Sequence, residues 1–505
     1  MCGIAGSIGA LERSSLQAML SCMAHRGPDQ QGMLCEEGVS LGSCRLSING
    51  IASGRQPIFS EDGSVAVVLN GEIYNYPALK KRLELAGHVF STDADTEAIV
   101  HAYEQFGDKF LPFLSGEFAF ALYDSNKRRV LLCRDRLGVK PLFYCFDAER
   151  NSLVFASEIK ALLACGAALR ERGSEPLESY FRPYGNYTPF KGVFQVMPGS
   201  MLKFQAGDAA ALCEEKYYRF SPSAPVSQEE TFSLLREKLQ SVVSQMSLSE
   251  APLGALLSGG LDSSILCSLL KNKLGKSFDT FCVGSVGANE FSEARQVAEF
   301  IGSRHHEVPL EEEEICKLVP SVVYALESFD AGLLRTSIPM FKVFSQVRTR
   351  VKTVLSGEGA DELFAGYPDL FMPVYAQRGK FGLQMELEHA VQSLFLRHLA
   401  RLDRISMANS VEGRVPFMDY RFVEFALGID PSLKVKNGVE KFVLRKAFEG
   451  AVPAEISARP KCRFGIGAGV EQVLAREFGQ NMQSVVERVF DELFIEGKLP
   501  FQVKI

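Results

Sequence analysis

Tryptophan is absent from the 505 residues, and the 12 cysteines never form a CxxC pair. Cysteines this dispersed argue against a disulfide framework and against a zinc site. There is no excess of positive charge. Lys and Arg total 55 against 61 Asp and Glu, for a formal net charge of −6. They are scattered, so the basic stripe that a phosphate backbone requires is missing, and no nucleic-acid partner is expected. No apolar run approaches the roughly 18–20 residues of a membrane span, and no basic segment precedes an apolar one at the N-terminus. The expectation is a cytoplasmic protein with no membrane partner. No internal repeat or low-complexity tract is visible, and the length exceeds what one hydrophobic core organises, so at least two domains are expected.

What is present begins at the second residue, in MCGIAGSIGA. A cysteine is ordinarily a small buried hydrophobe. Position 2 differs, because an initiator methionine before a small residue is normally removed. Cys2 would then carry a thiol and a free α-amine of pKa about 7.7–8 on one residue.

The first 200 residues are rich in short β-type runs: VAVVLNGEIYNY (65–76), GEFAFALYD (116–124), RVLLCRDRLG (129–138) and SLVFASEI (152–159). Several alternate apolar and polar residues, as half-buried antiparallel strands do, while TEAIVHAYEQF (96–106) has helical spacing. Residues 205–230 lose this regularity and end Ser/Pro-rich, which reads as a linker. Beyond it the period changes. In 231–246, Phe232, Leu235, Leu239, Val242, Val243 and Met246 form a helical stripe, and APLGALLSGGLDSSILCSLLKNKL reads strand, glycine loop, helix. Apolar strands at 277–285 and 351–362 alternate with helical segments, which predicts a parallel sheet covered on both faces. The expected fold is therefore α/β in two domains, spanning 1–205 and 231–505 with a linker at 206–230.

SGGLDSS (258–264) leaves an apolar strand and opens a helix, where backbone N–H groups and the helix dipole hold anions. A kinase-type phosphate loop places a lysine before its Ser/Thr. Here Asp262 stands in the loop, which suits a magnesium ion. A second carboxylate, Asp361 in LSGEGADE (355–362), also follows an apolar strand. In one parallel sheet the two converge at the same edge, where ligands of such sheets bind.

SGGLDSS resembles the loop of the ATP pyrophosphatases, which cleave ATP between its α and β phosphates. Cys2-Gly3-Ile4 resembles the start of a class II, N-terminal-nucleophile glutamine amidotransferase. In this order the pair is similar to the glutamine-hydrolysing asparagine synthetase family, as are HRGPD (25–29), RLSI (45–48), NGEIYN (70–75), RDRLGVKPLFY (134–144), ASEIKAL (156–162), SVEGRVPFMD (410–419) and EKFVLRKAF (440–448). The resemblance implies an N-terminal αββα sandwich of antiparallel sheets, the Ntn-hydrolase type. It also implies a C-terminal doubly wound sheet and the use of ATP and Mg²⁺. The implied reaction amidates a carboxylate, aspartate first among them, with ammonia from glutamine, giving AMP, PPi and glutamate. A shielded ammonia passage and a homodimer are further implications.

The family's site residues carry over onto matching positions. Cys2 would be the nucleophile. Arg45, with Leu46, Ser47, Ile48 and Asn49 following it, would bind glutamine through its α-carboxylate, and Glu72 and Asp95 would complete the pocket, Asp95 on the α-ammonium. Asn70 and Gly71 would hold the oxyanion; read alone, Asn-Gly signals a hairpin turn. Leu256, Val283, Ser356 and Gly357 would border the adenosine, and Ser258, Gly259, Gly260, Asp262, Ser263 and Ser264 the phosphates. Lys441 and Lys461 would neutralise phosphate charge, Asp262 and Asp361 would share the metal, and Glu358 would do acid/base work. Arg335 would meet the acceptor.

The acceptor region departs from the family pattern. Gly332 and Leu333 stand where two threonines are usual, and Gly465 and Ile466 where Ser-Asp is usual. A site that loses hydroxyl donors changes its discrimination. A different carboxylate, such as a sugar acid or a secondary metabolite, is the alternative acceptor.

Overall fold

The structure is a computed structural model and describes residues 1–9, 11–147, 152–175, 185–205, 212–275, 277–285, 290–461 and 469–498. Two six-stranded sheets lie in the first 216 residues. One runs in the order Phe194–Gln195, Phe143–Asp147, Ser152–Ala156, Cys2–Ile8, Val39–Arg45, Gln30–Glu36. The other runs Cys213–Lys216, Ser200–Gln205, Arg129–Arg134, Gly116–Asp124, Val65–Ile73, Ile58–Phe59. Every pairing in both is antiparallel. The sheets share an apolar layer to which Ile4, Leu41, Val68, Ala121 and Phe155 contribute. The outer face of the second sheet buries Leu69, Phe118 and Phe120 against Ala98, Ile99 and Ala102 of helix Glu97–Phe106, and helices Arg13–Cys22 and Ile159–Ala164 cover the first.

A third sheet is wholly parallel, in the order Arg304–Leu310, Asp279–Ser285, Leu253–Leu256, Thr353–Leu355, Glu412–Arg414. Helix Gln228–Met246 precedes it, with Leu235, Leu239, Val242, Val243 and Met246 buried as the stripe predicts; Phe232 is only partly buried. The sequence read as linker is not all connector. Cys213–Lys216 adds an edge strand to the second sheet, and residues 228–230 open the helix. The strand was hidden because Cys-Glu-Glu-Lys is exposed throughout and carries no alternation. Among the described residues no helix is long and apolar enough to cross a membrane.

Candidate active site

Antiparallel register places Arg45 directly opposite Cys2, so the thiol and the guanidinium lie on one face of adjacent strands. The backbone N–H of Cys2 donates to Asn70 Oδ1 at 3.2 Å. Asn70 is fully buried, and its Nδ2 has no hydrogen-bond partner. A buried donor without an acceptor is costly and marks a place for a ligand atom. Asn70-Gly71 does not form a hairpin but lies inside strand Val65–Ile73, with Gly71 at φ +152°. A Cβ there would sit 2.2 Å from Glu117 O, so only glycine fits beside the neighbouring strand.

Arg45 is nearly buried, yet its partners are the Gln30 amide oxygen and the carbonyls of Asn49, Gly50 and Ile51, with no carboxylate among them. An uncompensated guanidinium in this position suits a substrate carboxylate. Leu46 N donates to Met1 O, Ser47 N to Asp29, and Ile48 O accepts from Ala251, which fixes the segment after Arg45. Asn49 Nδ2 donates to Glu72 Oε2 at 2.7 Å, and Ile73 N to Asp95 Oδ2 at 2.7 Å. Burial, together with Asp95 and Glu412 nearby, pushes the Glu72 carboxyl up to about 8 against the pull of Arg414. Asp95 is raised as well, first by burial. Two buried carboxyls that resist ionisation form a ready place for an ammonium. Gln56 was not anticipated: its Nε2 lies 3.7 Å from the Cys2 Sγ, and its amide brackets Leu69. A lone glutamine in RQP carries no signal in the sequence.

The second site is a cavity of about 550 Å³ at the carboxyl edge of the parallel sheet. Leu256, Val283, Ser356 and Gly357 line it, as do Ser258, Gly260 and Ser263 of the loop. Gly260 caps helix Leu261–Leu274, so the first turn of that helix faces the cavity. Gly259 and Ser264 stand behind it. Gly259, at φ +75°, packs on the helix Phe291–Ile301, where a Cβ would lie 2.7 Å from Ala294 N. Ser264 Oγ returns to Gly260 O at 2.7 Å.

Asp262 and Asp361 do converge. Lys441 Nζ lies 2.5 Å from a carboxylate oxygen of each, and Lys461 Nζ lies 2.6 Å from Asp361 Oδ2. Burial works to raise Asp361, but the two ammoniums overcome it and hold the group well below the usual carboxylate range. Asp262 Oδ1 is buried without a hydrogen-bond partner.

Glu358 also faces the cavity, paired with Arg401 at 2.5 Å. Beside it His398 Nδ1 lies 2.9 Å from Glu362 Oε1, which also accepts from Tyr367. Burial opposes a charge on His398, and Glu362 outweighs it, holding the imidazole above its ordinary value. His398 and Arg401 are one turn apart on helix His398–Met407, a spacing that puts both on one face. That pattern was legible, but no motif drew attention to it. Arg335 is not among the described residues that line the cavity, though its neighbour Thr336 is; its side chain is 40% exposed and pairs with Glu471 at 3.0 Å. Gly332 and Leu333 lie in the first turn of helix Ala331–Val347, their N–H groups capped by Asp330. Gly465 and Ile466 fall outside the described residues.

Two further sequence motifs, HRGPD and ASEIKAL, join the two sites. Arg26 of HRGPD is fully buried, donates to the Cys2 carbonyl at 3.1 Å and to Glu158 at 2.9 Å, and grips both oxygens of Asp403 at 2.9 and 3.1 Å. Glu158 and Lys160 of ASEIKAL continue the network through Glu327 to Arg404. Three cations thus face three carboxylates. On the other side Lys140 bridges Glu117 and the Gly413 carbonyl, and Arg414 pairs with Glu412 and approaches Glu72 at 3.9 Å. The Met1 ammonium is buried against Glu412 at 3.2 Å.

Comparison with known proteins follows this division. Residues 1–218 match the glutamine amidotransferase domain family, and residues 234–390 and 375–497 match the asparagine synthase family. The glutamine-hydrolysing asparagine synthetase 2 of Oryza sativa subsp. japonica is 33% identical over 493 residues, covering 93% of this chain and 78% of its own length. The enzyme of Zea mays is likewise 33% identical, with the same coverage. Asparagine synthetase B of Escherichia coli (strain K12) is 33% identical over 480 residues, 91% of this chain and 79% of its own. A thiol domain followed by a phosphate-loop domain, alignable with these relatives along nearly its whole length, makes this chain a member of the glutamine-hydrolysing asparagine synthetase family.

Proposed function

We propose that the protein converts aspartate to asparagine, taking nitrogen from glutamine and energy from the cleavage of ATP to AMP and PPi. The observation that carries this reading is the orphaned Asn70 Nδ2 beside Cys2, in one chain with a cavity built on SGGLDSS. Residues 1–205 would perform the glutaminase step and 231–505 the synthetase step.

Once Met1 is removed, the Cys2 α-amine serves as base for its own thiol, which attacks the glutamine amide. Asn70 Nδ2 and the Gly71 N–H stabilise the oxyanion. Arg45 takes the α-carboxylate, and Asp95 and Glu72 the α-ammonium. Ammonia leaves as the thioester forms, and water then releases glutamate.

In the cavity Leu256 and Val283 border the adenine, while Ser258, Gly260 and Ser263 cradle the phosphates. The paired carboxylates, with Asp262 Oδ1 unclaimed, fit a hard divalent cation. Mg²⁺ held by Asp262 and Asp361 would bring positive charge to the pyrophosphate. Lys441 and Lys461 supply the remaining cationic charge. Arg335, whose neighbour Thr336 lines the cavity, is the candidate for the acceptor's α-carboxylate. Glu358, set by Arg401, receives a proton as ammonia attacks the acyl-adenylate.

The test is incubation with ATP, Mg²⁺, glutamine and a panel of carboxylates, following pyrophosphate and identifying the amide by mass spectrometry. Aspartate-dependent pyrophosphate with asparagine as product is expected. A response to another acid and none to aspartate overturns the assignment.

A further inference from the structure

A cluster outside both sites is unexplained by the amidation chemistry. Glu61, His88, His101 and Glu104 turn four ligand atoms to one point, all within 4.8 Å of one another. His101 Nδ1 lies 3.4 Å from Glu61 Oε2 and 3.0 Å from Glu104 Oε2. His88 Nδ1 lies 3.6 Å from Glu61 Oε1 and 3.7 Å from Glu104 Oε2. In a tetrahedral zinc site with bonds of about 2.0–2.1 Å, neighbouring ligand atoms stand about 3.3–3.4 Å apart. The four imidazole–carboxylate contacts bracket that value, with Glu61 offering one oxygen to each histidine.

The second ring nitrogens are held as well. Glu97 accepts from the N–H groups and hydroxyls of Ser91 and Thr92. His101 Nε2 faces it at 3.4 Å. His88 Nε2 similarly faces the Gln105 amide oxygen at 3.2 Å. On the other side of each ring the Nδ1 faces Glu61 and Glu104. A ligating histidine whose other nitrogen is held by an oxygen acceptor is the usual outer arrangement of metal sites.

We infer that these four side chains form a binding site for a divalent transition ion of the Zn²⁺ or Co²⁺ type, which mixed imidazole and carboxylate ligands suit. The dispersed cysteines, which argue against a zinc site in the sequence, have no bearing on one built from histidine and glutamate. Such an ion joins three segments: the turn after strand Ile58–Phe59, the connection after helix Tyr76–Leu85, and helix Glu97–Phe106. The third of these begins two residues after Asp95. The site is therefore a staple behind the glutamine pocket, and it does not depend on the acceptor's identity.

The full-length chain, stripped with a chelator, is titrated with Co²⁺ alone and then with Zn²⁺. Expected is one equivalent with the visible ligand-field bands of four-coordinate Co²⁺, no thiolate charge-transfer band in the near ultraviolet, and displacement by Zn²⁺. Glu61→Gln and His88→Ala, both toward the surface, are expected to weaken binding at least tenfold while circular dichroism stays unchanged. Zn²⁺ should raise the melting temperature of the parent protein and not of His88→Ala. Absence of a stoichiometric Co²⁺ complex, a thiolate band, or equal affinity in both variants overturns the site.

Discussion

Cys2 and Asn70 make separable contributions, and substitution tells them apart. Cys2→Ala is expected to abolish glutamine-dependent asparagine while leaving ammonia-dependent asparagine, measured with ammonium chloride in place of glutamine. Asn70→Ala keeps the nucleophile and removes one oxyanion donor, so glutamine hydrolysis should fall by about 10²–10³ in kcat. Glu72 adds a pH dependence whose sign follows from its surroundings. With its carboxyl pushed up to about 8 by burial, Asp95 and Glu412, it is largely protonated at neutral pH. An arriving ammonium favours the charged form, so glutamine binding expels that proton and tightens as pH rises toward 8. KM for glutamine should fall between pH 6.5 and 8.5 (roughly, on either side of that value), and Glu72→Gln should flatten the profile. These residues were named through the family resemblance that short motifs such as NGE and SGGLDSS carry; spacing alone reads NGE as a hairpin turn. The surroundings of Arg335 were not legible: a lone arginine pairs with whichever carboxylate the fold brings near, and here that is Glu471, far along the chain.

Among the elements, the phosphate loop shows what backbone geometry contributes that side chains do not. Gly259 lies outside the cavity lining, yet its left-handed φ and its approach to helix Phe291–Ile301, where a Cβ would crowd Ala294 N, set the course of the loop. Gly259→Ala should raise KM for ATP and lower kcat on the order of 10²-fold, as small misplacements of a catalytic loop do. Glutamine hydrolysis by the other domain should be spared; a parallel loss of both would show global unfolding instead. Strand alternation and the helix stripe of 231–246 announced their elements. The edge strand at 213–216 did not, because exposed polar residues pair through backbone groups that no side-chain pattern reports. The pairing of Cys2 with Arg45 was equally silent, since register depends on the partner strand as much as on the strand itself.

At the scale of the molecule, buried ion pairs join the two catalytic halves. Asp403 sits at 3% exposure and meets Arg26 through both oxygens. Removing Asp403 takes two charge-assisted hydrogen bonds from the buried Arg26, which keeps Glu158, and Asp403→Ala should lose about 1.5–3 kcal/mol in urea unfolding. Because Arg26 also holds the Cys2 carbonyl, the same variant should let glutamate appear in excess over asparagine, a ratio read from one chromatogram. The sequence displayed HRGPD and ASEIKAL without saying what they contact, since their partners lie up to 377 residues away. That separation limits how the chain can be recombined. Arg26, Glu158 and Lys160 come from one half of the gene, and Glu327, Asp403 and Arg404 from the other, so a chimera that crosses over in the connector inherits half of each ionic circuit. Unless both parents drew the charges alike, the halves are not interchangeable parts, and the two activities are constrained to evolve as a single unit.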